Sequence, residues 1–592
     1  MVCYILSILY LFVSFFLYPK SNKSLSIIEG IIYSIGLFFC YNVVVVYFNY
    51  LFHIQGSFLI FSIINFFVGI LLNIMTFEKK KVQKYFFKKQ ELFIALVIVL
   101  VILGIGCYRF RGFQVISYES SDSGIHYRHA LTFSKELSLL DKENSKDIVY
   151  GSFSNIMSIS YVNGGIILKL FSNCKAYKVF LGYDVFCLML CSLLFFVTIS
   201  RVLKERKKYP LYLLIITLIY TLAYPLNSFL LGFCYLGLGI MVINLLYETI
   251  LVFDQELNEQ FVFKIIILFI IVLSVFFSYY LFVPCVYLAL GFYYIYLWRK
   301  KKIDFKKLLL YGVVTLIVPF LIGFLYFFIL PHYQASVGSR VSSALKLWGY
   351  GYKDFLTLGI YVFFSWYFIY SIINKKEKIN SYFNINLLVL TGYVGLFLIL
   401  YVMHFISSYY FFKLFYLYWL FLCLWVGNKY VCYKKYIYMG ILLILFGNVY
   451  VMMYPDNKIT SFLTWLDIYH WNTMTFDEKR ITYTKEEVEL VDKSIEYKEI
   501  CEKNNRFIIS GNENKNVWFY SITDMIPTVT LISGDHRNLY TTPNLSLDSW
   551  DKNTDYPCII YFYEKKSKDY EESNYEILYS NSAGAILKSR KT

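Results

Sequence analysis

Residues 92–130 decide the fold of this chain, and they read LFIALVIVLVILGIGCYRFRGFQVISYESSDSGIHYRHA. The apolar run 92–108 is long enough, as a helix, to cross most of the roughly 30 Å of hydrocarbon in a bilayer. Acids, histidines and hydroxyl residues follow it directly, from Ser117 to Ala130. This order predicts a transmembrane helix that leads into a polar segment at the membrane surface.

The polar segment is predicted to begin a second helix. Asp122, with Ser123 and Gly124 after it, stands where a helix N-cap belongs, and an amphipathic pattern runs from Ile125 to Leu140. We interpret Asp122 as the working acid of a membrane enzyme. The alternative is that Asp122 only caps the helix, which would stabilise it by about 1 kcal/mol. One carboxylate can fill both roles.

The composition of the whole chain is typical of a polytopic membrane protein. Of its 592 residues, 58% are hydrophobic and 21% aromatic, whereas only 16% are charged. A soluble protein of this size would not bury so much apolar surface. The net charge of +16 does not indicate a nucleic-acid partner, because the basic residues fall in short loops between apolar runs. The abundant Lys, Asn, Ile and Tyr suggest an AT-rich bacterial genome.

About fourteen apolar runs of roughly twenty residues are candidates for membrane spans. They lie near 2–18, 26–48, 57–77, 92–108, 178–200, 210–226, 229–252, 263–280, 282–298, 308–330, 355–373, 385–403, 411–427 and 437–454.

The loops between these runs predict the orientation. The basic loops fall on one side if every run spans once: 78–91, 201–209, 299–307, 374–381 and 428–436. Basic loops stay in the cytoplasm, so we expect a multi-pass protein of the bacterial plasma membrane with its N-terminus outside.

Three larger segments are then predicted outside the cytoplasm. Loop 109–177 contains the acidic segment and at least two surface helices, and loop 331–354 is a second outer loop. Residues 1–454 would form the transmembrane domain, and residues 455–592 a small extracytoplasmic α/β domain.

The pattern within the C-terminal domain predicts one charged helix at 484–504. Strands are predicted between Gly, Asn and Pro turns at 507–510, 517–520, 529–532, 558–563 and 575–579. Only Cys501 and Cys558 of the twelve cysteines lie in this polar part, and one pair alone indicates a disulfide only weakly.

An acidic first outer loop, many spans, a second outer loop and an outer C-terminal domain together resemble the GT-C superfamily of integral-membrane glycosyltransferases. This superfamily includes protein mannosyltransferases and bacterial lipid-A aminoarabinose transferases. The resemblance covers the architecture of nearly the whole chain and implies a GT-C-like fold. It also implies a polyprenyl-phosphate-linked sugar donor, and an acid of the first outer loop that acts at the membrane surface.

The chain departs from the superfamily pattern in two respects. Glu119 and Asp122 are three residues apart, where many members have two acids one residue apart. Four spans precede the acidic loop, where many members have one. The first departure leaves open which acid is the base and whether a divalent metal is bound, as it is in some members.

Transfer of a sugar from a lipid phosphate needs a base for the acceptor hydroxyl. Asp122 is the predicted base, and Glu119 is the second candidate. His126, four residues after Asp122, would share its helix face and orient the carboxylate or an acceptor. Two ligands are too few to argue a metal, and no other cofactor is predicted. His129 is predicted to be a surface histidine.

The departing phosphate also needs cationic or hydrogen-bonding groups. Lys413 is the strongest candidate, because it lies at the predicted outer end of a span beside Tyr409 and Tyr410, against the local charge bias. The alternative is a lysine that snorkels to the interface beside an aromatic belt. Further candidate donors, whose alternative is a solvated loop position, are His404, Arg340 and His332.

Three acidic residues fall within the predicted spans. Asp184 lies a few residues inside the fifth predicted span, and an acid placed there usually marks a functional site. Glu29 and Glu248 lie near cytoplasmic ends and are predicted to be solvated.

The leading hypothesis is a glycosyltransferase that moves a hexose or pentose, with inversion, from a polyprenyl-phosphate-linked donor to an envelope glycan, lipid or protein. The alternatives are an envelope polysaccharide polymerase or ligase, a polytopic transporter or flippase, and a non-catalytic scaffold. A transporter is less favoured because the mid-span regions are nearly free of charge.

Overall fold

The structure is a computed structural model. It describes residues 1–20, 24–78, 82–118, 122–139, 158–203, 210–253, 261–325, 352–374, 379, 381–403, 405, 408–429, 481–502, 507–510, 513–523, 558–562 and 575–590.

The first half of the chain is mostly helical. Its elements are α1 (Val2–Leu17), β1 (Leu25–Ser26), α2 (Ile27–Leu51), α3 (Phe58–Glu78), β2 (Tyr85–Phe86), α4 (Lys89–Arg109), β3 (Ile116–Tyr118), α5 (Asp122–Glu136), α6 (Ser158–Leu170), α7 (Ala176–Val202), α8 (Pro210–Leu222), α9 (Tyr224–Leu230), α10 (Cys234–Phe253) and α11 (Phe261–Ser278).

The helices continue to residue 429. A 3₁₀ turn at Tyr280–Phe282 leads into α12 (Val283–Arg299), and a π turn at Val313–Ile317 joins the next two helices. The helices of this part are α13 (Phe305–Gly312), α14 (Val318–Phe324), α15 (Tyr352–Ile373), α16 (Tyr382–Val402) and α17 (Ser408–Lys429).

Nine helices in the described ranges are long and apolar enough to cross a membrane, or ten if the bent pair α8 and α9 forms one span. This pair bends by 41° where Pro225, which has no backbone N–H, opens α9. The predicted run 229–252 is therefore divided between the end of α9 and α10, which begins at Cys234. A multi-pass membrane protein is confirmed. The last predicted run, 437–454, lies outside the described residues.

The spanning helices surround a central pair, α7 and α10, which pack against each other. Large apolar side chains on the outer helices remain exposed, among them Leu59 (65%), Phe67 (61%) and Leu100 (66%). Such side chains need a hydrocarbon surrounding, and a lipid bilayer supplies it.

A buried ion network ties the ends of three spanning helices together. Arg201 on α7 forms salt bridges with Glu29 on α2 and, at 2.8 Å, with Glu248 on α10. All three side chains are at most 10% exposed. The prediction that both glutamates are solvated is wrong, because each lies in the protein interior and forms an ion pair with the same guanidinium.

The C-terminal domain contains helices and a mixed sheet. Its described elements are β4 (Ile481–Tyr483), α18 (Lys485–Glu496), α19 (Lys498–Glu502), β5 (Phe507–Ser510), α20 (Glu513–Thr523), β6 (Cys558–Phe562), β7 (Tyr575–Asn581) and β8 (Gly584–Ser589). The strand order is β5-β6-β8-β7, with β5 and β6 parallel and the other pairs antiparallel.

The described elements of this domain differ from the predicted ones in two places. The predicted helix 484–504 is divided into α18 and α19, and a capping box between Thr484 and Glu487 fixes the start of α18. The run 517–520 is not a strand, because it forms the middle of α20. The predicted strand 529–532 lies outside the described residues.

Candidate functional site

The acidic segment leads from strand β3 into helix α5. α5 begins at Asp122, three residues before the predicted amphipathic pattern, so that Asp122 is the first helical residue. Glu119 and the side chain of Asp122 lie outside the described atoms. α5 packs along α6, and most described side chains of both helices are buried. These helices are therefore interior elements, not the surface helices that the sequence suggested.

The C-terminal domain packs directly on this segment. β3 pairs antiparallel with β4, with Ser117 opposite Thr482. Trp518 of α20 is fully buried between two tyrosine rings of the segment, stacking on Tyr118 at 5.7 Å and on Tyr127 at 5.3 Å between ring centroids. The start of α5 is thereby held between the membrane bundle and the C-terminal domain.

A glycine allows the bundle to approach the start of α5 closely. Gly232 has φ +72°, a left-handed conformation that glycine adopts without strain. A Cβ atom at this position would lie 2.3 Å from the Cβ of Ser123, the residue after Asp122. Because Phe233 follows Gly232, this contact connects the start of α5 to the cationic pocket around Lys413.

Lys413 lies in a buried aromatic pocket and is only 2% exposed. Its Nζ donates a hydrogen bond of 2.8 Å to the hydroxyl of Tyr235. The same atom is 5.0 to 5.3 Å from the ring centroids of Phe233, Tyr235 and Tyr279, within cation–π range. The snorkelling alternative does not fit such a buried side chain. Tyr409 and Tyr410 lie on the same helix, α17, but their side chains are outside the described atoms.

His126 borders the same pocket from α5. Its ring lies 4.9 Å from Tyr235 and 6.1 Å from Phe233, between centroids, so both rings contact His126 and Lys413. Nδ1 shares a hydrogen bond of 2.9 Å with the hydroxyl of Tyr161, and Nε2 is buried with no hydrogen-bond partner among the described residues. Burial, and then the charges of His129 and Lys413, hold the pKa of His126 well below its usual range. The imidazole is therefore neutral at neutral pH.

Two further predicted residues lie in the interior at this end. His129 is fully buried and its ring lies 4.6 Å from that of Tyr161, so the prediction of a surface histidine is wrong. Asp184 of α7 is 2% exposed and accepts a hydrogen bond of 2.5 Å from the hydroxyl of Tyr118. Burial, and then the charge of Asp184, raise the pKa of Tyr118 well above its usual range.

The structure thus brings His126 and Lys413 into one pocket and joins Asp184 to the acidic segment through Tyr118. The remaining predicted site residues, His404, Arg340 and His332, lie outside the described residues. Among the described residues, no group of three His, Cys, Asp or Glu side chains could hold a metal ion.

Sequence reasoning did not identify Phe233, Tyr235, Tyr161 and Trp518. In a chain with 21% aromatic residues, no single ring stands out from those that face lipid or pack in the core. The local signal that could have indicated this region is Gly232, just before Phe233, because a glycine in an apolar run often marks a close backbone approach.

Comparisons with known protein families, with curated proteins and with solved structures find no significant match to this chain.

Proposed function

We propose that this protein is a glycosyltransferase that takes its sugar from a polyprenyl-phosphate-linked donor at the outer face of the bacterial plasma membrane. The observation that supports this most is the pocket in which Lys413 and His126 share Phe233 and Tyr235. The acceptor is an envelope glycan, lipid or protein. The GT-C superfamily is the class whose architecture the chain resembles.

In this proposal Lys413 binds the phosphate of the donor. A cation attracts an anion far more strongly in a pocket of low dielectric constant than in water, and the pocket around Lys413 consists of aromatic rings. The same charge stabilises the phosphate as it leaves the sugar, when its negative charge grows. The surrounding rings also offer an apolar surface to the first isoprene units.

Asp122 at the start of α5 is the proposed base, and Glu119 is the alternative. The base removes the proton of the acceptor hydroxyl while the oxygen attacks the sugar. Neutral His126, one helical turn after Asp122, orients the acid or the acceptor through its buried Nε2. The C-terminal domain, through Trp518, keeps the start of α5 in place.

The proposed orientation places the C-terminal domain outside the cytoplasm. Cys558 on β6 is disulfide-bonded, and disulfides persist in oxidising compartments such as the bacterial periplasm. The basic loop 299–307 begins at the other end of the bundle, where positive-inside bias favours the cytoplasm. In a protein whose exposed free cysteines, Cys3, Cys107 and Cys174, are replaced by serine, a membrane-impermeant thiol reagent on intact cells should label Glu496→Cys and leave Lys300→Cys unlabelled.

The experiment that tests the function is sugar transfer by membranes that carry the wild type, Asp122→Asn or Glu136→Gln. Glu136, the exposed last residue of α5, provides the matched control. With a pool of polyprenyl-phosphate sugars, Asp122→Asn should insert normally and lose transfer by about 10²-fold or more, whereas Glu136→Gln keeps it. Equal transfer by wild type and Asp122→Asn would remove Asp122 from the chemistry.

A further inference from the structure

A cavity of about 380 Å³ opens at the end of the bundle opposite to Lys413. Helices α10, α12, α16 and α17 form its walls, and Val202 at the end of α7 adjoins it. Lys429 lines the cavity and lies sixteen residues after Lys413 on α17, roughly 24 Å along the helix axis. The cavity is therefore distinct from the pocket of the proposed transfer reaction.

Part of the cavity lining is aromatic. The ring of Tyr382 lies 5.4 Å from that of Tyr293 and 6.3 Å from that of Tyr247, between centroids. Trp425 of α17 lines the cavity as well. Tyrosine and tryptophan rings of this kind are typical of the depth at which lipid headgroups meet the hydrocarbon.

Another part of the lining is polar and carries positive charge. Ser381, Asn384, Asn428 and Lys429 line it, and none of the described lining residues is acidic. The Nζ of Lys429 lies 4.9 Å from the ring centroids of Trp425 and Tyr367, and it donates a long hydrogen bond of 3.5 Å to the Oγ of Ser371. An anion is the ligand that such a set of donors recognises.

We propose that this cavity binds the phosphate headgroup of an anionic lipid from the leaflet at this end of the bundle. The phosphate lies beside Lys429, and the glycerol and first acyl carbons lie along the aromatic part of the lining. Basic pockets between membrane helices recognise anionic headgroups in this way. The proposal stands independently of glycosyl transfer, because Lys429 lies roughly 24 Å along α17 from Lys413.

Native mass spectrometry of the purified full-length protein in detergent tests this site. The probes are phosphatidylglycerol, phosphatidylcholine with the same acyl chains, and inorganic phosphate. The variants are Lys429→Gln and, as the matched control, Lys300→Gln. Lys300 is an exposed lysine at the same end of the bundle that does not line the cavity.

The wild type and Lys300→Gln should retain phosphatidylglycerol in preference to phosphatidylcholine. Lys429→Gln should weaken phosphatidylglycerol binding by about tenfold, which is the effect of losing one charge-assisted hydrogen bond. Equal retention of both lipids by the wild type, or binding that Lys429→Gln leaves unchanged, would overturn the proposal. Saturable competition by inorganic phosphate without any lipid preference would overturn the assignment to a lipid.

Discussion

The indole Nε1 of Trp518 donates a hydrogen bond of 2.8 Å to the Oγ of Ser123, and both side chains are fully buried. The two residues are 395 positions apart in the chain. This bond joins the C-terminal domain to the residue that follows the proposed catalytic acid. The domain is thus part of the structure that holds the start of α5 in place.

The Trp518–Ser123 bond predicts measurable coupling between the two side chains. Trp518→Phe keeps a ring between Tyr118 and Tyr127 but removes the donor, and Ser123→Ala removes the acceptor. Each single variant should lower the free energy of unfolding by about 1 kcal/mol or more, and the double variant by less than the sum. Thermal unfolding of the purified protein in detergent measures the cycle.

The matched control for this cycle is Trp366→Phe, because Trp366 is 60% exposed on the lipid-facing side of α15. It should leave the apparent Tm nearly unchanged. Strictly additive effects of Trp518→Phe and Ser123→Ala would show that the two side chains do not interact.

Gly232 is predicted to be the least replaceable glycine near the site. Gly232→Ala places a Cβ against Ser123 and forces alanine into a left-handed conformation, which alone costs about 1–2 kcal/mol. Gly104→Ala is the comparison, because a Cβ at Gly104 meets nothing within 4 Å and helical alanine is favoured over glycine. The apparent Tm should fall in Gly232→Ala and stay the same or rise in Gly104→Ala. Equal Tm values for both variants would contradict the close approach.

The lowered pKa of His126 predicts that the protein loses stability in mild acid. Its pKa is lowered in the folded protein by burial and by the charges of His129 and Lys413, whereas an unfolded histidine has a pKa of about 6.5. The folded state therefore binds fewer protons, so that stability from neutral His126 is present above about pH 6.5 and is lost as the pH falls below it. The apparent Tm of the wild type should fall between pH 7.5 and pH 5.5.

His126→Gln should reduce this dependence of Tm on pH. His53→Asn is the control, because His53 is exposed in a left-handed turn that asparagine tolerates. A pH dependence that is the same in His126→Gln and in the wild type would show that another group titrates.

The membrane part of the fold was largely predictable from the sequence, because a helix that crosses hydrocarbon must be long and apolar. The run 92–108 lies within α4, and the run 178–200 within α7. The run 517–520 was mispredicted, because its valine and aromatic residues favour strands locally. Packing of Trp518 on α5 outweighs that preference.

The site itself was less predictable. Lys413 was identified because a lysine at the outer end of an apolar run is unusual. Its neighbours are far away in the chain, since Tyr235 lies in the first turn of α10 and Phe233 just before that helix. The buried position of His129 was missed because a histidine among polar residues favours the surface. Contacts between residues far apart in the chain leave no periodic pattern in one sequence.

The central claim is that the pocket of Lys413 receives the phosphate of a lipid-linked donor. Binding of a polyprenyl monophosphate to the purified protein tests this claim most directly. We predict that the wild type and Lys300→Ala bind this lipid with the same Kd. Lys413→Ala should raise the Kd by about tenfold to a hundredfold, because the removed cation pairs with the phosphate. An unchanged Kd in a correctly folded Lys413→Ala protein would contradict the claim.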